Sequence, residues 1–298
     1  MKKKFIITID TEGDNLWGWK EGMPLTTENV LSIPRFQNLC ERYQFIPTWL
    51  CNWEMVNDER FVDYMKEKLA EGKCSIGMHL HAWNNPPYYA LPRHEKARLP
   101  YLVEYPRDVM KKKLISMTDL IEEKFGKRPT VHRAGRWAMN DEYFEILAEL
   151  GYIADCSITP GVNWKKNYGQ TPGFEGPDYY NERVQISNRK RILEIPVTTL
   201  WSAEKERTFW LRPQKNNMDE MLYLIEQYKN SEIEYLMFML HSSELKAGTN
   251  PTFLTEEDIE KLYQELEELF LVISRDYVGL GLEEYANELI VKKFIDGE

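Results

Sequence analysis

Short runs of β-branched and aromatic residues alternate with amphipathic stretches along almost the whole chain. Residues 4–10 read as a strand, and the apolar spacing over 27–43 reads as a helix that Pro34 either kinks or starts. A strand at 45–50 and a helix at 58–71 follow, with Asn57 or Asp58 placed to cap the helix. The pattern repeats as strand 74–79, helix 107–125, strand 129–133 and helix 140–150, which stops at Gly151. Strands at 152–156 and 191–195, a helix at 217–229, a strand at 234–241 and a helix at 255–274 come next. A short strand–helix pair ends the chain. Such alternation means parallel strands with helices outside. With about seven units and no glycine-rich phosphate loop after the first strand, a (β/α) barrel is expected rather than an open dinucleotide-binding sheet. One domain spanning 1–298 accommodates it.

The expected strands end in polar residues: Asp10, His79, Arg133, Asp155 and His241. In a parallel barrel all strand C-termini share one face, where active sites lie, so these groups converge on one rim. Two pairs stand out. His79-Leu80-His81 places two imidazoles on one side of an extended strand, and Asp10-Thr11-Glu12 does the same with two carboxylates. Neutral imidazole is the commonest protein ligand for a transition metal. His132 precedes Arg133 on its strand and should point the other way, into packing. His94 lies in a Pro-rich stretch and reads as solvated, and Glu194 is a strand-end carboxylate without an evident task. Long loops at 83–106 and 159–181 leave the same face and carry Trp83, Tyr88, Tyr89, Trp164, Tyr168 and Phe174. Ordered loops of this length are usually functional, and flat aromatic faces suit sugar rings.

Composition narrows the partners. The 298 residues carry a formal net charge of −10, which argues against nucleic acid, since phosphate binding needs a basic surface. Cys40, Cys51, Cys74 and Cys156 show no CxxC spacing and fit a reducing compartment better than a disulfide framework. Lys2-Lys3-Lys4 precedes an apolar run far too short for a signal peptide, and no stretch approaches the ~20 apolar residues of a membrane span. A cytoplasmic protein without a membrane partner is expected; its oligomeric state is left open.

With these residues laid out, the chain resembles the polysaccharide deacetylases, metal-dependent enzymes that remove N- or O-acetyl groups from sugar polymers. Five segments match in order. Ile7-Thr8-Ile9-Asp10-Thr11-Glu12-Gly13 resembles the family's first motif, commonly T-F-D-D-G, in branches that use D-x-D or D-x-E. Gly77-Met78-His79-Leu80-His81-Ala82-Trp83 resembles the second, H-[ST]-x-x-H, and His132-Arg133-Ala134-Gly135-Arg136-Trp137 the arginine-containing third. Gly151-Tyr152-Ile153-Ala154-Asp155-Cys156-Ser157 resembles a G-Y-x-x-D-S-S segment, and Leu240-His241-Ser242-Ser243 the final motif with its catalytic histidine.

The resemblance implies a distorted (β/α) barrel and a role for each matched position. Asp10 matches the general base that activates water, and His241 the general acid that protonates the departing amine. Arg133 matches the arginine that orients the base, with Arg136 able to share that task. Asp155 sits where a carboxylate orients one of these groups. Glu12 and His79 match metal ligands, and zinc is the divalent metal that histidine ligands suit best. The second motif histidine falls on Trp83, so His81 is expected to serve in its place. Arg136, Trp83, Trp137 and Trp164 are the expected contacts to an acetylated saccharide substrate. Two other readings stay open: a silent saccharide-binding protein that lost its metal with the Trp83 replacement, and a small-molecule amidohydrolase.

Overall fold

The computed structural model describes residues 2–88 and 99–296; Tyr89 and His94 lie outside the described residues. The first strands are β1 (Lys3–Thr11), β2 (Thr48–Cys51), β3 (Ser75–Leu80), β4 (Val131–Ala134), β5 (Ala154–Asp155) and β6 (Ser187–Arg189). They are followed by β7 (Ile192–Glu194), β8 (Thr199–Ser202), β9 (Arg207–Trp210), β10 (Tyr235–His241) and β11 (Tyr277–Gly279). The helices are α1 (Ile33–Arg42), α2 (Trp53–Val56), α3 (Glu59–Ala70), α4 (Arg107–Phe125), α5 (Asp141–Glu149), α6 (Met218–Lys229), α7 (Glu256–Asp276) and α8 (Leu282–Asp296). None among the described residues is long and apolar enough to cross a membrane.

Local signals set several boundaries. Pro34 marks the true start of α1, where its missing N–H costs nothing. Asp58 caps α3 by accepting from Arg60 N at 2.9 Å. Gly126, at φ 71°, ends α4 in the left-handed conformation that glycine adopts without strain.

Seven strands run parallel in the order β10-β1-β2-β3-β4-β5-β7, and β6 pairs antiparallel beyond β7. One edge of β1 faces β10; the other is shared by β11 at Lys3–Phe5 and β2 at Thr8–Thr11. The sheet curls into a distorted barrel that no regular ladder closes among the described residues. Irregular backbone spans the seam instead: Thr198 N donates to Met237 O, and Met239 N to Leu211 O, each at 3.2 Å. The intervening β8–β9 hairpin, a separate two-stranded sheet, is absent from the sequence reading. The charged Ala203–Glu206 segment hid it by interrupting the alternation of Thr199–Ser202 and Arg207–Trp210.

Alternation along the strands sorts side chains into two cores. Phe5, Ile7 and Ile9 face outward and pack with Phe36 of α1, Phe61 of α3, Leu114 of α4 and Phe270 of α7. Ile6, Leu50, Val131, Met237 and Met239 face inward, and Leu282, Tyr285 and Ala286 of α8 join this inner cluster. The inward series continues along each strand. Ile6 leads to Thr8 and Asp10, Val131 to Arg133, and Met239 to His241. The apolar interior thus becomes a polar rim at the C-terminal ends.

Candidate metal centre and active-site cavity

Two strand ends bring the cluster together. At the end of β1 the chain keeps its alternation from Asp10 to Glu12, just past the strand, and the Glu12 N–H donates to Ser242 Oγ at 3.0 Å. Gly13 then turns under Thr26; a Cβ there would lie 2.7 Å from Thr26 O. At the end of β3, His79 and His81 turn to the same side. Glu12 Oε2 lies 2.9 Å from His81 Nε2 and 3.6 Å from His79 Nε2, and the two Nε2 atoms are 3.1 Å apart. Gly135 makes room for the His81 ring: a Cβ there would come within 2.8 Å of His81 Nδ1 and 2.5 Å of Leu80 O.

This donor set fits a divalent metal. A tetrahedral ion about 2.0–2.1 Å from its N and O ligands separates them by roughly 3.3–3.4 Å, and the three observed separations bracket that value. His79 Nδ1 lies 3.0 Å from the Arg133 carbonyl, so Nδ1 carries the proton and the Nε2 lone pair faces the cluster. Burial lowers the pKa of His81, which favours the neutral, ligating form. Burial also works against a charged His79, but Asp10 and Glu12 overcome it and raise its pKa. Two buried carboxylates therefore demand positive charge at this point, which a proton or a metal ion can supply.

Asp10 and Arg133 form the centre of the rim. Arg133 is fully buried, and its Nη1 donates to Asp10 Oδ1 at 2.6 Å. Its other donors go to Thr8 Oγ1 at 2.8 Å and the Cys156 carbonyl at 3.1 Å, which locks the guanidinium. Burial would raise the Asp10 pKa, but Arg133, His79 and His241 outweigh it and hold the carboxyl below the usual carboxylate range. The free oxygen, Oδ2, faces His79 Nε2 at 4.0 Å and His241 Nε2 at 3.7 Å.

His241, directly opposite Asp10 in the β1–β10 register, is set by two residues the sequence reading missed. Arg212 Nη2 lies 3.0 Å from His241 Nδ1 and 2.7 Å from Glu244 Oε1. Glu244 also accepts the His241 backbone N–H at 2.7 Å. His241 Nδ1 also lies 3.4 Å from Glu244 Oε2, so it is held between an arginine donor and a carboxylate acceptor, while Nε2 faces Asp10 Oδ2 at 3.7 Å. Burial opposes ionisation of Glu244, but Arg212 and His241 bring its pKa down to about 2. The i, i+3 spacing of His241 and Glu244 was the available signal; Arg212 offered none.

A cavity of about 410 Å³ opens over these groups. Trp83, Arg136, Trp137 and Trp164 all line it, together with Trp17. Trp83 stacks on Trp19 at 4.5 Å, and Trp17 meets the His241 ring edge-on at 5.3 Å. Arg136 lies over the Tyr101 ring at 4.9 Å and makes no bond to Asp10; among the described arginines, Arg133 is the one that holds that carboxylate. Arg136 and Trp137 hold φ values of 58° and 64°. Consecutive non-glycine residues in this region are strained, and strain of this kind clusters at functional sites. Beneath the rim, the sequence-silent Glu54 accepts from Gly13 N at 2.9 Å, Asn52 at 2.7 Å and Asn84 at 2.7 Å. It thereby ties the turn after Glu12 to the turn after His81.

Asp155 is not brought to the cavity. Ala154 and Cys156 occupy the inner cluster, so Asp155 points outward. There it meets His132 Nδ1 at 2.6 Å and Ser157 Oγ at 2.8 Å, while His132 Nε2 faces Tyr143 OH at 2.8 Å. The strand-end rule placed Asp155 correctly along its strand but not on the correct face. Glu194 points the same way, and burial and the neighbouring Asp155 raise its pKa well above the usual value.

No protein-family model matches the chain, and no curated protein matches it in sequence. Solved structures do. A Mycobacterium smegmatis protein assigned as a polysaccharide deacetylase superposes with a TM-score of 0.58 at 14% identity, over 98% of this chain and 92% of its own. The chain has the polysaccharide deacetylase fold. The same barrel carries a GH57 branching enzyme from Thermococcus kodakaraensis, with a TM-score of 0.59 at 10% identity over 97% of this chain and 71% of that one. A 4-alpha-glucanotransferase from Thermococcus litoralis gives 0.57 at 14% identity over 96% of this chain and 40% of that one. The fold alone therefore does not choose between deacetylation and glycosyl chemistry.

Proposed function

We propose that this chain is a metal-dependent hydrolase that removes acetyl groups from a saccharide. The observation that supports this reading most is the environment of Asp10. One of its oxygens is held by Arg133, and the other lies between the Glu12–His79–His81 cluster and His241.

Glu12 Oε2, His79 Nε2 and His81 Nε2 are the atoms that would hold the metal, with zinc the natural choice for this donor set. Such a metal supplies Lewis acidity towards a carbonyl oxygen and lowers the pKa of water. Asp10, kept ionised by Arg133, accepts the proton of the attacking water at Oδ2. His241, across the cavity, donates the Nε2 proton of its imidazolium form to the departing nitrogen or oxygen and is left neutral. Glu244 Oε2, 3.4 Å from Nδ1, supports the charged ring. Arg212 and the His241 backbone N–H both donate to Glu244 and hold its carboxylate beside the ring. Trp17, Trp83, Trp137 and Trp164 offer apolar faces to sugar rings, and Arg136 offers N–H donors to their hydroxyls.

Glycosidic cleavage fits less well. It needs one carboxylic acid held protonated beside a second carboxylate. The described carboxylates lining this cavity are Asp10 and Glu12, and the surrounding arginine and histidines hold both below the usual range. Acetate release from N- and O-acetylated oligosaccharides tests the reading. Release that disappears in Asp10→Asn and His241→Asn supports it, and cleavage of the glycosidic bond without acetate release contradicts it.

A further inference from the structure

A second recess, of about 320 Å³, lies on the β8–β9 hairpin away from the strand ends. Its walls include Tyr180 and Trp201, which stay 49% and 46% exposed although most large apolar side chains of this chain are buried. The two rings lie 5.8 Å apart at 80°, forming a corner rather than a flat plate.

The hairpin connects this corner to the catalytic cavity. Thr199 pairs with Trp210 and Trp201 with Thr208, so all four side chains share one face of the ribbon. Trp210 packs on Trp137 at 5.8 Å and Trp164 at 6.2 Å, two walls of the catalytic cavity. Between Trp210 and Trp201 the face is crossed by the backbone at 160–161, whose carbonyls accept from Thr199 Oγ1 at 2.7 Å and Thr208 Oγ1 at 2.6 Å. That strap makes the second recess a separate site. The opposite face of the hairpin, Leu200 and Phe209, packs against the outer core, which fixes the corner before any ligand arrives. Arg183, at its rim, donates from Nη1 to the carbonyls of Asn181 and Glu182 at 3.1 Å, which leaves its other N–H groups for a ligand.

We propose that this recess is a second saccharide-binding site that holds a stretch of the substrate chain remote from the reacting acetyl group. A pyranose presents C–H groups on its faces and hydroxyls at its edge, which matches two aromatic walls with Arg183 at the rim. A flat aromatic ligand would be better served by parallel rings. The proposal rests on the saccharide reading of the catalytic cavity.

The test compares a hexamer and a dimer of N-acetylglucosamine on the full chain. Binding is followed calorimetrically in an Asp10→Asn background and acetate release in the active protein. Trp201→Ala should weaken hexamer binding about tenfold, the scale of a well-packed aromatic contact. Trp201→Phe should recover part of the loss, Tyr180→Ala should reproduce it, and dimer binding and turnover should not change. If acetate is released but hexamer affinity ignores Trp201 and Tyr180, the second site is overturned and the deacetylase reading stands. If hexamer binding depends on Trp201 while no acetate is released, the second site stands and the deacetylase reading falls. A chain that binds no hexamer at all overturns the second site.

Discussion

The Nε2 atoms of His79 and His81 lie 3.1 Å apart, both turned towards Glu12. The two-residue spacing thus does what the four-residue motif spacing, which lands on Trp83, does not. Trp83 instead stacks on Trp19 and walls the cavity. Trp83→Ala is therefore expected to keep its metal and raise KM several-fold with little change in kcat. Metal content and steady-state kinetics on one preparation check this.

Asp10 and Arg133 form a buried ion pair at the centre of the rim. Removing the arginine strands a buried carboxylate, so Arg133→Met should cost about 3–5 kcal/mol in denaturant unfolding. Asp10→Asn keeps the shape and removes the base. It should fold cooperatively while kcat falls about 10²–10⁴-fold.

Two buried carboxylates bend the stability–pH curve in opposite directions. Glu244 is brought down to about 2, so its contribution is present above the ordinary 4.5 and is lost as pH falls towards 2. Burial raises Glu54 from 4.5 to about 7, with the Glu12 charge adding to it and the N–H donors of Gly13 and Asn52 opposing it. Stability from Glu54 is full below pH 4.5 and declines as pH rises through 7, by roughly 3 kcal/mol for a shift of this size. In metal-free protein, Glu54→Gln should flatten the curve between pH 4.5 and 8 and leave the acid limb intact. Urea titrations across that range measure it.

Arg136 holds a left-handed backbone at the cavity wall. Glycine adopts that conformation freely, so Arg136→Gly should stabilise the fold by about 1 kcal/mol. The same change removes a donor from the cavity and should lower kcat/KM. Gain of stability with loss of activity, read from unfolding and kinetics together, identifies strain held for function.

Much of this was legible along the chain because strand periodicity is local. The strand–helix order and the approach of Asp10, Glu12, His79, His81, Arg133 and His241 follow from alternation and from the rule that parallel strands end on one face. What was lost depended on facing and on distant partners. Asp155 lies at a strand end like the others, yet one position of alternation turns it outward to His132. Arg212 reaches His241 from the segment after β9, across the seam of the barrel, and no short-range pattern announces such a contact. Glu54 acts through Gly13 and Asn84, residues that only the fold brings beside it.

The metal content of the purified chain, measured with Glu12→Ala, His79→Ala and His81→Ala beside the wild type, tests the central claim most directly. The account predicts one divalent ion per chain in the wild type and its loss in all three variants. A wild type without stoichiometric metal after incubation with zinc, or a His81→Ala protein that retains it, would contradict the account.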